Sequence, residues 1–236
     1  GTPTVLDQRA PVANLSRHIV IQGSDDAAWR NAGFGAHVMV MGPSSRVVID
    51  GVELRRVGQA GVLGRYPLHW HLLGDTGASV KRSAIWNSSQ RCIVVHGSSG
   101  LALADNVCHD IQGHAIYLED GNERRNVIER NLVLGVRTPA KLIKQHDQPD
   151  HQRGPSGFWI SNPDNVVRGN VAGDAQGNGF WLSFARKPGG DAATLALRPN
   201  NLALGVFDDN VAHSNGQPGI NLDWAPIDEQ GRTAPN

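Results

Sequence analysis

Four histidines of this chain stand where they could bind a metal or move a proton near neutral pH. His69 and His71 sit two apart in Tyr66-Pro-Leu-His-Trp-His-Leu72. His96 closes Cys92-Ile-Val-Val-His96, and His114 opens a stretch ending in Glu119-Asp120. Alternate residues of a strand share a face, so His69 and His71 point the same way. Together His69, His71, His96 and His114 offer a shell suited to zinc, nickel or another divalent transition metal. The other available chemistry is acid–base. Glycoside hydrolysis uses two carboxyl groups about 5 to 9.5 Å apart. Glu119 is the best-placed carboxyl, while Asp120 follows it directly and should point to the opposite side of its strand. Asp75, just after the His69/His71 strand, could swing in from its loop. A lyase would instead need a base and a cation, for which Arg65, His96 and Tyr117 could serve.

These residues need a scaffold, and an internal repeat supplies it. One half-unit reads Leu101-Ala-Leu-Ala-Asp-Asn106-Val-Cys-His-Asp and returns around Asn131, Asn170 and Asn210, with a degenerate copy at Ser83. The other, Cys92-Ile-Val-Val-His96, returns as Ala115–Glu119, Gly157–Ser161, Gly179–Ser183 and Gly219–Asp223. Successive asparagines are 25, 39 and 40 residues apart, and Ser83 precedes Asn106 by 23. That rhythm predicts an all-β, single-domain, right-handed parallel β-helix with one coil per 23–25 residues and a core over about 15–224. Irregular insertions fall near 59–67, 137–155 and 185–201. The asparagines are expected at the bends, where this residue tolerates left-handed backbone.

Stacking the second half-units separates faces. Leu68, Ile93, Ile116, Phe158, Phe180 and Ile220 form one apolar column, and Trp70, Val95, Leu118, Ile160, Leu182 and Leu222 another, so both face inward. The positions between them should face outward: His69, Val94, Tyr117, Trp159, Trp181 in one column, His71, His96, Glu119 in the next. Tyr117, Trp159 and Trp181 then read as a stacking platform for sugar rings, flanked by Arg91 and His114 at the strand entrances. The bland alternatives are a solvated histidine ladder and tryptophans packed beneath an insertion. Insertion 137–155 is locally basic (Arg137, Lys141, Lys144, His146, His151, Arg153), which suits an anionic chain.

Composition bounds the rest. The chain has 236 residues, 22 basic and 22 acidic side chains, 28 glycines and 17 asparagines. Zero formal charge argues against a nucleic-acid partner, and no apolar run approaches the roughly 20 residues of a membrane span. Cys92 and Cys108 could bridge but make no disulfide framework, and read first as two small buried hydrophobes. The abrupt start at Gly1-Thr2-Pro3 reads as a fragment or a processed form.

The motifs Tyr66–Leu72, Gly74-Asp75, Arg91-Cys92 through His96-Gly97, Gly113-His114, Glu119-Asp120-Gly121, Phe158-Trp159, Asn162–Asn165 and Ala212–Asn215 stand in an order that resembles one known family. It is the β-helix of the cell-migration-inducing hyaluronan-binding protein and the related transmembrane hyaluronidase. The resemblance implies an extracellular protein that cuts hyaluronan at N-acetylglucosaminidic bonds and depends on calcium. The reading is therefore a monomeric enzyme that cleaves an acidic polysaccharide such as hyaluronan, by hydrolysis before lysis. A non-catalytic glycan-binding module and a structural segment of a surface protein are the other two readings.

Overall fold

The structure is a computed structural model that describes residues 10–144, 147, 154–223 and 232. Its strands wind into a parallel β-helix of three sheets, two of seven strands and one of six among the described residues. Each coil adds one short strand to each sheet. Val-, Ile- and Leu-rich runs of three to eight residues make the strands, and a residue with positive φ breaks the chain at the corners. The first sheet runs from Ile19–Gln22 to Val211–His213, the second from Val38–Met41 to Ile220–Asp223, the third from Val48–Asp50 to Val206–Asp208.

The second sheet carries the columns read from the repeat. Leu68, Ile93, Ile116, Phe158, Phe180 and Ile220 stand opposite one another in unbroken register. Phe158 and Phe180 stack at 4.6 Å between ring centroids. All of them except Ile220 join Leu54, Ile85, Leu103, Ile128 and Val133 in one core that fills the solenoid. Only at the last coil does the column open, where Ile220 and Leu222 are exposed.

The asparagines sit at the bend, but not for the expected reason. Asp105, Arg130 and Asp209 carry positive φ, each immediately before its asparagine, and Gly169 does so before Asn170. Each buried asparagine instead uses its side chain. The Asn131 Oδ1 accepts from the backbone N–H and Nδ2 of Asn106, and the same pattern repeats from Asn131 to Asn170 and from Asn170 to Asn210. A polar ladder thus satisfies corner amides that no strand partner reaches.

Cys92 and Cys108 are buried as expected, but of the two readings the bridge holds, because they form a disulfide. The two lie on neighbouring sheets of the same coil, both fully buried inside the solenoid, so the bridge staples one corner from within. It closes a separation of 16 residues, for which loop-closure entropy gives about 3 kcal/mol. Replacing both cysteines by Ala should lower unfolding stability by about that amount in denaturant titration. A change below about 0.5 kcal/mol would show that the coil is held without the bridge.

The insertions determine where a site can lie. Residues 59–67 and 137–155 both enter the second sheet, whereas 185–201 leaves it, crossing two short 3₁₀ turns at Gly190–Ala192 and Pro199–Asn201. Loops therefore connect at both ends of the second-sheet strands. No helix among the described residues is long and apolar enough to cross a membrane.

Candidate active site

Register brings the histidines together. His71 pairs with His96 across adjacent coils, and their Nδ1 atoms lie 3.1 Å apart. The His69 ring lies 5.1 Å from that of His71 and 5.8 Å from that of His96, stacked nearly parallel to the latter. One nitrogen from each of the three falls within 4.8 Å of the others. His69 is tied at Nδ1 to the Gly64 carbonyl, 3.0 Å away in the 59–67 insertion. Its Nε2 is buried and has no hydrogen-bond partner among the described residues.

Carboxylates surround His96. Its Nε2 lies 3.0 Å from Asp120 Oδ2 and 3.6 Å from Asp191 Oδ2, while its Nδ1 is 3.9 Å from Glu119 Oε2. Asp120 thus lies on the same side as Glu119, contrary to strict strand alternation. The strand ends at Leu118, and the following turn redirects Asp120 toward His96. That turn is held by Glu123, fully buried. Its carboxylate accepts the backbone N–H groups of Gly97, Asp120 and Gly121 at 2.8 to 3.0 Å, and Ser161 Oγ donates to it at 3.2 Å.

Electrostatics differ sharply among the three imidazoles. Burial pushes His69 down to about 4. Burial and the neighbouring His96 also lower His71. For His96 burial opposes the charge, but the Asp120 hydrogen bond and the carboxylates of Glu119, Asp120 and Glu123 outweigh it and hold the imidazole above its ordinary value. Glu123 is raised by burial, against the pull of its backbone hydrogen bonds.

The outward aromatic column is not an open platform. Tyr117, Trp159 and Trp181 do leave the sheet on the side away from the solenoid core, yet they are 1, 8 and 3% exposed. With Tyr66 and Val94 they make a second, separate hydrophobic cluster, against which Ile143 of insertion 137–155 packs. Beneath that insertion Arg91 and His114 are also fully buried. Arg91 forms a bidentate pair with Asp147, its Nη2 at 2.9 Å, and its guanidinium lies 4.2 Å over the Tyr117 ring. His114 Nε2 lies 3.3 Å from the same carboxylate, and its Nδ1 accepts the Ser156 N–H. None of these five side chains presents a face to a ligand, and His114 stands apart from the histidine trio. The reason is the insertion, which uses the column as its own core.

Two other expected residues also lie elsewhere. Asp75 is exposed and pairs with Arg125. Arg65 sits beside His37 Nε2 at 2.8 Å, outside the trio. His146, His151 and Arg153 of the basic insertion lie outside the described residues. Lys144 is described, and its ammonium reaches Glu119 Oε1 at 3.3 Å.

Asp191, Glu123 and Asp147 escaped the sequence reading. Asp191 follows Gly189-Gly190, and that pair was the available signal. Gly190 has φ +46°, and a Cβ there would lie 2.3 Å from Asp120 Oδ1. Only glycine lets the 185–201 insertion close on Asp120, whose carbonyl accepts the Gly189 N–H at 2.7 Å. Asp147 is one carboxylate among bases, and no spacing rule links it to Arg91.

Residues 33–220 match the family model described as the CEMIP beta-helix. The chain belongs to the CEMIP beta-helix family. Over 92% of its length this CEMIP β-helix is 34% identical to human "Cell surface hyaluronidase CEMIP2", covering 18% of that protein. It is 30% identical to mouse "Cell migration-inducing and hyaluronan-binding protein", covering 19%, and 32% identical to mouse "Fibrocystin-L", covering 6%. The chain thus spans less than a fifth of the length of these relatives.

Proposed function

We propose that this CEMIP β-helix is the cleaving unit of an extracellular enzyme that hydrolyses an acidic polysaccharide of the hyaluronan type. One observation carries the reading. A carboxylate oxygen of Asp120, one of Asp191 and a nitrogen of His96 all lie within 4.8 Å of one another. Paired carboxyl groups at about 5 Å suit hydrolysis with retention. Asp191, exposed on its loop, attacks the anomeric carbon as the bond to the leaving oxygen breaks. The Asp120–His96 pair donates the proton that this oxygen takes up. Water then releases the sugar from Asp191, with His96–Asp120 accepting its proton.

The substrate class is supported by the relatives whose names carry hyaluronidase or hyaluronan. Secretion is supported by the buried disulfide, since such bridges persist in oxidising compartments. His69, His71 and His96 fit zinc or nickel: three imidazoles converge, and the His69 Nε2 is buried without a partner. Bound there, the ion would act as a Lewis acid and hold His96 as a neutral ligand, leaving Asp120 to carry the proton. Calcium does not fit the trio, because it prefers oxygen ligands.

The test is release of reducing ends from hyaluronan, chondroitin, alginate and a neutral glucan, at two salt concentrations, by the native chain and by Asp191→Asn. Cleavage of an acidic chain that falls at least about 100-fold in the variant is the expected result. Cleavage confined to the glucan would overturn the substrate class, and an unchanged Asp191→Asn rate would overturn the mechanism. A second reading, a non-catalytic glycan-binding module, is favoured by the similarity to fibrocystin-L, whose name carries no enzyme activity. Binding of hyaluronan with no product would establish it.

A further inference from the structure

A second cleft lies at the other end of the coil that carries His96. It encloses about 300 Å³ and is built by three segments: the helix Ala27–Ala32, the strand ends around Asn87 and Asp110, and Ala140-Lys141 of insertion 137–155. Its walls hold Trp29, Arg30, Asn87, Asp110, Gln112 and Lys141. That volume stands at the low end of small-molecule pockets, enough for one or two sugar rings but not a long chain.

Two of the walls present side chains that the solenoid core does not use. The helix Ala27–Ala32 buries none of its residues, so half-buried Trp29 is not there to fill the solenoid core. Asn87 and Asp110 occupy a positive-φ kink that recurs in the first sheet at Arg56, Gly135, Asp174 and Ser214. Elsewhere in that column the long polar side chains find partners, as Arg56 does at the Gly23 carbonyl and Asp174 at Arg137. Asn87 and Asp110 make no side-chain hydrogen bond among the described residues, although both adopt left-handed backbone, at φ 53° and 54°. A left-handed residue within a strand interrupts the pleat, and both side chains line the cleft.

Arg30 is already paired with Asp25 at 2.9 Å, so an indole face, amides, one carboxylate and the Lys141 ammonium together match a sugar that carries both hydroxyl groups and a carboxylate. We propose that this cleft is a second saccharide subsite that anchors a uronate-containing unit of the acidic glycan, with the ring on Trp29 and the carboxylate toward Lys141. The ligand class rests on the proposed function above. Insertion 137–155 joins the two regions, since Lys141 lines the cleft while Lys144, three residues on, reaches Glu119.

The test titrates a hyaluronan tetrasaccharide, with chitotetraose as the neutral control, into the ¹⁵N-labelled native chain, Trp29→Ala, Lys141→Glu and His96→Gln. Fold is checked by circular dichroism. The expected result is a shift of the Trp29 indole N–H resonance in the native chain. The same oligosaccharide should bind about fivefold more weakly to Trp29→Ala, the ratio one aromatic contact gives. His96→Gln should retain the shift. Lys141→Glu should weaken the acidic oligosaccharide alone, and equal weakening of chitotetraose would overturn the uronate assignment. No indole shift, or unchanged affinity in a folded Trp29→Ala, would overturn the subsite while leaving cleavage at His96 standing. Binding that depends on Trp29 in a chain that cleaves nothing would uphold the subsite and remove the hydrolase.

Discussion

Replacing His96 by Gln should lower hyaluronan cleavage by about a thousandfold, within the range for a positioned acid–base group, and Asp120→Asn should do the same. His96 is 8% exposed, so it cannot be treated as a free surface residue. Gln keeps most of the volume and one hydrogen bond toward Asp120, which limits the folding cost to roughly 1 to 3 kcal/mol, the cost of a poorly satisfied buried partner. Reducing-end assays below the melting temperature separate the two effects. If His96→Gln and Asp120→Asn both melt near the native chain yet cleave at a native rate, the Asp120–His96 pair is a structural clasp and the acid lies elsewhere. The carboxylates around His96, not its exposure, set this expectation.

Removing Asp147 should produce the largest loss of stability of any single surface-loop change. Its carboxylate is fully buried between Arg91 and His114. Burial opposes the Arg91 charge, and Asp147 more than compensates, raising the guanidinium further above its ordinary value. Asp147→Ala strands that charge beneath the insertion, at a cost of about 3 to 5 kcal/mol. Urea titration should register it, and limited proteolysis should cut near 137–155 first, since the clasp that holds the insertion on Tyr117 and Trp159 has gone. Pairing Asp147→Leu with Arg91→Met should recover most of the loss, because no charge then remains unpaired. A single variant within about 1 kcal/mol of native would mean the insertion is held by the aromatic cluster alone. Trp159→Ala should likewise destabilise the chain, since it would open a cavity in the cluster beneath the insertion.

The parallel β-helix was legible in the chain because a solenoid repeats one local problem. Each coil must bury alternate residues of a strand, so Leu68, Ile93, Ile116 and Phe158 declare their column by type and spacing alone. The same alternation placed His69 and His71 on one face and His96 beside them one coil on, and their meeting is a direct consequence of strand register. What the pattern could not reveal is where a strand stops and what an insertion covers. Alternation fails at Asp120 because the strand ends two residues earlier and a buried Glu123 turns the chain. It fails for Tyr117, Trp159 and Trp181 because outward means only away from the solenoid core, and the 137–155 loop supplies a second interior for them. Asp191 and Asp147 reach His96 and Arg91 from irregular loops, whose paths depend on glycine conformations and buried charge pairing rather than on any period. Local periodicity therefore determined the scaffold and the histidine trio, while long-range closure of two loops decided which carboxylates surround His96 and which aromatics water can reach.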